Sequence, residues 1–299
     1  MRILLTGMTG QVGGALLGPL QSIGAVIPVR RADFDLSDPP SLPGKLDRIA
    51  PDLIVNPAAY TAVDRAEDDC ELAEEVNTRA PERMAIWAAE HAVPLVHFST
   101  DYVFSGTGER PWGEDDPAEP LSVYGASKLG GEVAIRAAKG PHLIVRISWV
   151  YAARGTNFLR TIVRLAREKK DLRVVSDQVG APTPARVIAD SVATIIGRHA
   201  AGLPEVFARS GGLVHLACTG ETSWHGFATA IVKGLKVRGV ELTAERIVPI
   251  LSADYPTKVR RPHNSRFDQT RLRQMFGITP PHWSDALCAE LDELAREGD

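Results

Sequence analysis

Ile3-Leu4-Leu5-Thr6-Gly7-Met8-Thr9-Gly10-Gln11-Val12-Gly13-Gly14-Ala15 is the stretch that decides the fold. A short, continuous apolar run over Ile3 to Thr6 reads as a buried strand. It breaks at Gly7, Gly10 and Gly13, and Gln11 to Ser22 then reads as a helix. Glycines at this spacing let the backbone turn tightly and let a pyrophosphate approach the amides. The helix N-terminus then faces the negative charge. A triple-glycine pattern is weak alone, but a preceding strand and a following helix are its confirming context. Gly7, Gly10, Gln11, Val12 and Gly13 are therefore expected to hold a dinucleotide.

Outward from that turn the same alternation repeats. Ala25 to Val29, Leu53 to Asn56, Leu95 to Ser99 and Leu143 to Ile147 are apolar runs of strand length. Leu72 to Ala92 and Ser127 to Ala138 are helical patterns between them. Such alternation predicts an α/β fold, a doubly wound Rossmann-type parallel sheet with right-handed crossovers. The second half is less regular. Helices are expected at Asn157 to Lys169, Arg186 to Arg198, Ser223 to Val237 and Ser284 to Arg296, the last with Ser284 as N-cap. Strands are expected at Leu172 to Val175 and Val214 to Ala217, and a basic loop over Pro249 to Asn264. We expect residues 1–150 to form the dinucleotide-binding domain, with returns over about 155–220. Residues 221–299 should form mainly a smaller α/β substrate domain on the C-terminal side.

The chain has 299 residues, enough to bury a large core without disulfides or metals. Hydrophobic residues are 44% and charged residues 24%, which excludes wholesale disorder. A net charge of −3 gives no footprint of a nucleic-acid binder or a polybasic membrane patch. No apolar stretch approaches the roughly 20 residues of a membrane span. Three scattered cysteines, Cys70, Cys218 and Cys288, suit a reducing compartment, and the cytoplasm is the expected location. The eight histidines lack metal-ligand spacing, so no metal site is expected; His97 and His215 read as packed or hydrogen-bonded residues in strands.

The second strand should end near the adenosine ribose of a dinucleotide. Arg30 and Arg31 there favour the 2′-phosphate of NADP(H), while Asp33, with Asp35 and Leu36 just beyond, keeps NAD(H) open. The small residues Ala58 and Ala59 after Asn56 allow a cofactor to lie close to the sheet edge. Tyr124 and Lys128 stand four apart and so share a helix face. An ammonium beside a phenol lowers its pKa, so such a tyrosine can protonate a carbonyl oxygen as hydride reaches the carbon. Thr100 ends a strand at the carboxyl edge, where its hydroxyl can bond the same oxygen.

The ordered set Gly7/Gly10/Gly13, Asn56 to Asp64, Val76-Asn77, Ser99 to Phe104 and Tyr124 with Lys128 resembles the extended short-chain dehydrogenases/reductases. Gly10-Gln11-Val12-Gly13, Ser148-Trp149-Val150-Tyr151, Asp177 to Thr183 and Arg261-Pro262-His263-Asn264-Ser265 resemble, more closely, the dTDP-4-dehydrorhamnose reductase family. The resemblance runs from residue 1 to about 271. It implies that NADPH, or NADH in some members, reduces the C4 ketone of dTDP-4-dehydro-β-L-rhamnose to dTDP-β-L-rhamnose. It also implies that Tyr124 is the proton donor and Lys128 its tuner and ribose ligand. Thr100 replaces the more usual serine. Asp101, Tyr102 and Trp149 match positions lining the sugar site, and Arg261, from its charge, is a candidate pyrophosphate contact.

Some members hold Mg²⁺ at a dimer interface with a glutamate just after the glycine turn. Here Gly13-Gly14-Ala15 and Arg186 stand in the matching stretches, which argues against a metal-bridged dimer and leaves the oligomeric state open. Three alternatives remain. A 4,6-dehydratase lacks its base, because Tyr102 follows Asp101. A 4-epimerase is excluded by the family motifs better than by chemistry. A non-catalytic regulatory subunit of the methionine adenosyltransferase type is opposed by the intact Thr100, Tyr124 and Lys128.

Overall fold

The computed structural model describes residues 1–297. Its centre is a six-stranded, all-parallel sheet: β1 (Arg2–Leu5), β2 (Ala25–Pro28), β3 (Leu53–Asn56), β4 (Leu95–Thr100), β5 (His142–Ile147) and β6 (Leu213–Leu216). The spatial order is β2-β1-β3-β4-β5-β6. The order reverses at β1, between β2 and β3. That switch point at the carboxyl ends of the strands is where an open α/β sheet leaves a crevice.

The strands are mainly apolar because both faces are covered, with His97, Arg146 and His215 as buried polar exceptions inside β4, β5 and β6. Alternate residues point to opposite sides. Ile3, Leu5, Leu53, Val55, Val96 and Phe98 face α1 (Gln11–Gln21) and a helix at Ala185–Arg198, through Leu16, Leu20, Ile188, Val192 and Ile196. Leu4, Ile54, Leu95 and Ile144 face the other side, against α2 (Leu42–Ile49), α3 (Ala80–Glu90) and α4 (Val123–Ala137). The doubly wound parallel sheet expected from the sequence is the one observed.

A third core lies apart from these two. It joins Leu159 and Ile162 of α5 (Phe158–Glu168), Phe227, Ile231 and Leu235 of a helix at Trp224–Val237, and Leu287, Leu291 and Leu294. In chain order the helix at Ala185–Arg198 is α6, that at Trp224–Val237 is α7 and Trp283–Glu297 is α8. The strands Asp171–Val175 and Arg246–Ile250 pair in parallel over this core.

Several element ends differ from expectation. Pro249 and Ile250 belong to a strand rather than to the basic loop, since Pro249 lies at an edge opposite Val174. α8 begins at Trp283, so Ser284 lies inside its first turn. The His282 ring takes the capping role, its Nδ1 accepting from Ser284 N–H at 3.3 Å. α4 starts four residues before the expected Ser127, because Ser122 Oγ accepts the Gly125 N–H at 3.1 Å and caps the helix there. The expected helix over Leu72 to Ala92 contains a π turn at Glu75–Arg79 between Cys70–Glu74 and α3.

Candidate active site

The glycine turn is built by close approach. Gly7 has φ of +58°, and a Cβ on it would lie 2.9 Å from the Ala58 backbone after β3. A Cβ on Gly13 would lie 2.1 Å from the Gly7 carbonyl oxygen. Gly10 N–H donates to Gly7 O at 2.9 Å and is the N-cap of α1, with no capping side chain and no acid in the first turn. The leading amides of an 11-residue helix thus keep their donors for an anion. Gln11 accepts from Asn157 Nδ2 at 3.1 Å, and Val12 packs on the first core.

At the far end of β2, Arg30 and Arg31 are exposed. The Arg31 guanidinium lies 3.4 Å from Asp35. Asp35 Oδ1 also accepts from Ser37 N–H and Oγ, at 2.9 and 2.7 Å, which hold its pKa below the usual carboxylate range against the opposing effect of burial. Asp35 is therefore committed to its own turn. Leu36 is a core residue under the second face. These residues fit NADP(H) through an open helix N-terminus and two surface cations, with Arg30 free of ion pairs among the described residues.

The chemistry-bearing residues converge at the carboxyl ends of β3 and β4. Thr100 closes β4 and donates to Asp101 Oδ1 at 3.1 Å while accepting from Tyr102 N–H. Asp101 is 3% exposed and also accepts from Ser265 Oγ at 2.5 Å. Burial pushes its pKa up to about 6, against the pull of those hydroxyls. Tyr124, on the first turn of α4, meets Tyr102 edge-on at 5.6 Å between centroids. Burial drives the Tyr124 phenol up, and the neighbouring Thr100 hydroxyl pulls it the other way. Burial also takes Tyr102 up to about 12, with the Arg261 charge opposing.

Lys128 lies one helical turn beyond Tyr124 on α4, and its Nζ lies 3.2 Å from His97 Nε2. Lys128 is itself buried, which lowers its pKa to about 8, with Glu132 opposing. His97 is hydrogen-bonded as expected.

Arg261 reaches Asp64 Oδ2 at 2.9 Å, while Arg261 Nε and Asp64 Oδ1 are buried with no hydrogen-bond partner among the described residues. Trp149 has φ of +48° and stacks flat on Trp224, centroids 3.5 Å apart. Arg186, in α6, donates to Glu290 Oε1 at 2.6 Å.

The description "RmlD substrate binding domain" matches residues 1–296. The chain belongs to the RmlD substrate-binding-domain family. The resemblance read from the motifs is borne out by relatives along the whole chain. A dTDP-4-dehydrorhamnose reductase of Burkholderia thailandensis is 45% identical over 293 residues, 96% of this chain and 97% of that one. One from Escherichia coli K12 is 42% identical over 298 residues, 98% of each. Among solved structures, a dTDP-4-dehydrorhamnose reductase from Clostridium acetobutylicum superposes with a TM-score of 0.89 at 31% identity, covering 98% of this chain and 99% of that one. One from Bacillus anthracis, in complex with NADP, gives 0.85 at 29%, with 98% and 99% covered.

Sequence reasoning about this RmlD-family chain left several site residues without a role. Ser265 holds Asp101, and Trp224 backs Trp149. Asn77, fully buried on the π turn, bonds Tyr60 N–H (2.8 Å), Tyr60 O (3.0 Å) and Ser127 Oγ (3.0 Å). It clamps the loop after β3 onto α4. π turns concentrate at functional sites, but nothing in a helical periodicity reveals one.

Proposed function

We propose that this chain is an NADP-dependent reductase of the C4 ketone of dTDP-4-dehydro-β-L-rhamnose, yielding dTDP-β-L-rhamnose. The observation that carries the reading is the meeting of Thr100 and Tyr124 at the sheet edge beside Asp101 and Tyr102, with Lys128 buried one turn further along the same helix and Arg261 facing Tyr102. The names of the full-length relatives support the substrate, and the NADP complex of one supports the coenzyme.

Bound NADPH supplies the hydride. Tyr124 gives its proton to the C4 oxygen as the carbon is reduced, and burial keeps that proton in place at neutral pH. Thr100 hydrogen-bonds the same oxygen. Lys128, charged below about pH 8, holds the nicotinamide ribose and supports the phenolate left behind. Gly7, Gly10, Gln11, Val12 and Gly13 take the coenzyme pyrophosphate, Ala58 and Ala59 leave it room, and Arg30 and Arg31 take the 2′-phosphate. Asp101, Tyr102 and Trp149 line the sugar, and the unpartnered Nε of Arg261 suits an oxygen of the sugar-nucleotide pyrophosphate. The sheet lobe thus holds the coenzyme, and the lobe around the third core holds the sugar nucleotide. The free cysteines suit a reducing compartment, and the cytoplasm is the proposed location.

Purified protein should consume NADPH only when the 4-keto sugar nucleotide is present and should release a reduced sugar. Conversion without net loss of NADPH would instead mark an epimerase. Tyr124→Phe should lose about 10²–10⁴-fold in turnover and still bind NADPH by fluorescence titration. Wild-type turnover in that variant would remove Tyr124 as the acid.

A further inference from the structure

Lys128 is 2% exposed. Its Nζ hydrogen-bonds a ring nitrogen, His97 Nε2, rather than a carboxylate. The charge that acts on it, Glu132, is held by Arg146 through Nε and Nη2 at 2.8 and 2.6 Å. Among the described residues His97 is the hydrogen-bond partner of this buried ammonium, and a buried charge depends strongly on such a partner. His97 stands on β4, three residues before Thr100. Its other nitrogen, Nδ1, lies 3.1 Å from Asn56 Nδ2 on β3, and Asn56 Oδ1 accepts from Thr6 Oγ1 at 2.6 Å. Thr6, Asn56 and His97 are each at most 2% exposed. A row of buried polar side chains therefore crosses three adjacent strands, from the end of β1 at the glycine turn, through the end of β3, to His97 inside β4 and on to Lys128.

This row has two self-consistent arrangements. In one, every donor points towards the lysine: Thr6 Oγ1 to Asn56 Oδ1, Asn56 Nδ2 to His97 Nδ1, His97 Nε2–H to an unprotonated Nζ. In the other, the charged lysine donates to a bare Nε2. The ring proton then sits on Nδ1 and donates to the Asn56 oxygen, with the amide turned over. Burial first, and the Lys128 charge second, hold His97 well below its ordinary pKa, so the ring stays neutral in both.

We propose that His97 is a positioning residue for Lys128: its neutral ring, oriented by Asn56, holds Nζ in place and changes tautomer as the lysine gains or loses its proton. The consequence for turnover rests on the reductase reading, whereas the titration of the lysine does not.

The test is NMR on the whole protein with ¹³C-labelled lysine and ¹⁵N-labelled histidine, with Lys128→Met to assign the Lys128 signal. In the wild type, the His97 ring nitrogens should exchange roles at the pH where Lys128 titrates. A ring that keeps one tautomer through that titration overturns the proposal, and this arm needs no His97 variant. In His97→Leu the ammonium loses its acceptor, so Lys128 should titrate about one unit lower, a tenfold smaller charged-to-neutral ratio at a given pH. The alkaline fall of kcat should move with it. His97→Gln, which offers an amide oxygen to the ammonium, should stay close to the wild type. A folded His97→Leu protein whose lysine titrates as in the wild type refutes the role, as do Gln and Leu variants that behave alike. A wild type that turned over no keto sugar would sink the reductase reading and leave the NMR result standing.

Discussion

Asp101 shows what the site costs the fold. Its pKa rises from the model-compound value of 3.8 to about 6, chiefly through burial. Between about pH 4 and 6 the folded chain holds a proton that the unfolded chain has released. The stability linked to this group is thus fully present below pH 4 and is lost as pH rises through 6, by about 3 kcal/mol as an upper figure. Asp101→Asn removes the charge at nearly constant shape. Its stability relative to wild type should therefore increase from pH 4 to pH 7 in urea unfolding, and a difference that is flat with pH would contradict the burial argument. Single residues were legible in the sequence where their partners are local. Tyr124 and Lys128 are four apart, and the glycines lie within seven positions. The pairs that complete the site span 31 residues for Lys128 with His97, 164 for Asp101 with Ser265 and 197 for Arg261 with Asp64. No local pattern encodes those distances, so these partners appear only with the fold.

The sheet is legible in the sequence because five of its strands are short, mainly apolar runs, and the sixth, Leu213–Leu216, begins one residue before the expected Val214 to Ala217. Helix α2 was missed. Pro39 and Pro40 precede it and Pro43 and Gly44 sit inside it, residues that read as loop although proline is tolerated in a first helical turn. The π turn was invisible for a different reason: one extra residue per turn hardly disturbs an amphipathic pattern. The strand–turn–helix unit at the start of the chain makes its own prediction. In Gly13→Ala the new methyl would meet the Gly7 carbonyl oxygen, so α1 must back away from the turn. The variant should lose about 1–3 kcal/mol in thermal or urea unfolding and bind NADPH at least tenfold more weakly by fluorescence titration. Unchanged affinity would show that the turn does not set the coenzyme's approach.

Across the whole molecule, two cores flank the sheet and the third is gathered from distant stretches, 151–174, 227–244 and 287–294. Arg261 to Asp64 and Lys258 to Asp68 tie the loop after Arg246–Ile250 to residues that follow β3. The sequence implied traffic between two halves but could not say where the third core closes, because its helices carry the same periodicity as those on the sheet. Leu291, 1% exposed, packs from α8 against α7 at Gly234, where a Cβ would lie 2.4 Å from its Cδ1. Leu291→Ala should cost about 2–5 kcal/mol and raise the KM for the sugar nucleotide while leaving NADPH binding close to wild type. Equal loss of both would mean that the two halves unfold as one. The position of α8 also sets an order of events during synthesis. All six sheet strands exist once residue 216 has been made, but the third core lacks a wall until residue 294 follows. On the ribosome the sheet can begin to assemble early, while the stretches around the third core must keep their apolar surfaces waiting for the last helix.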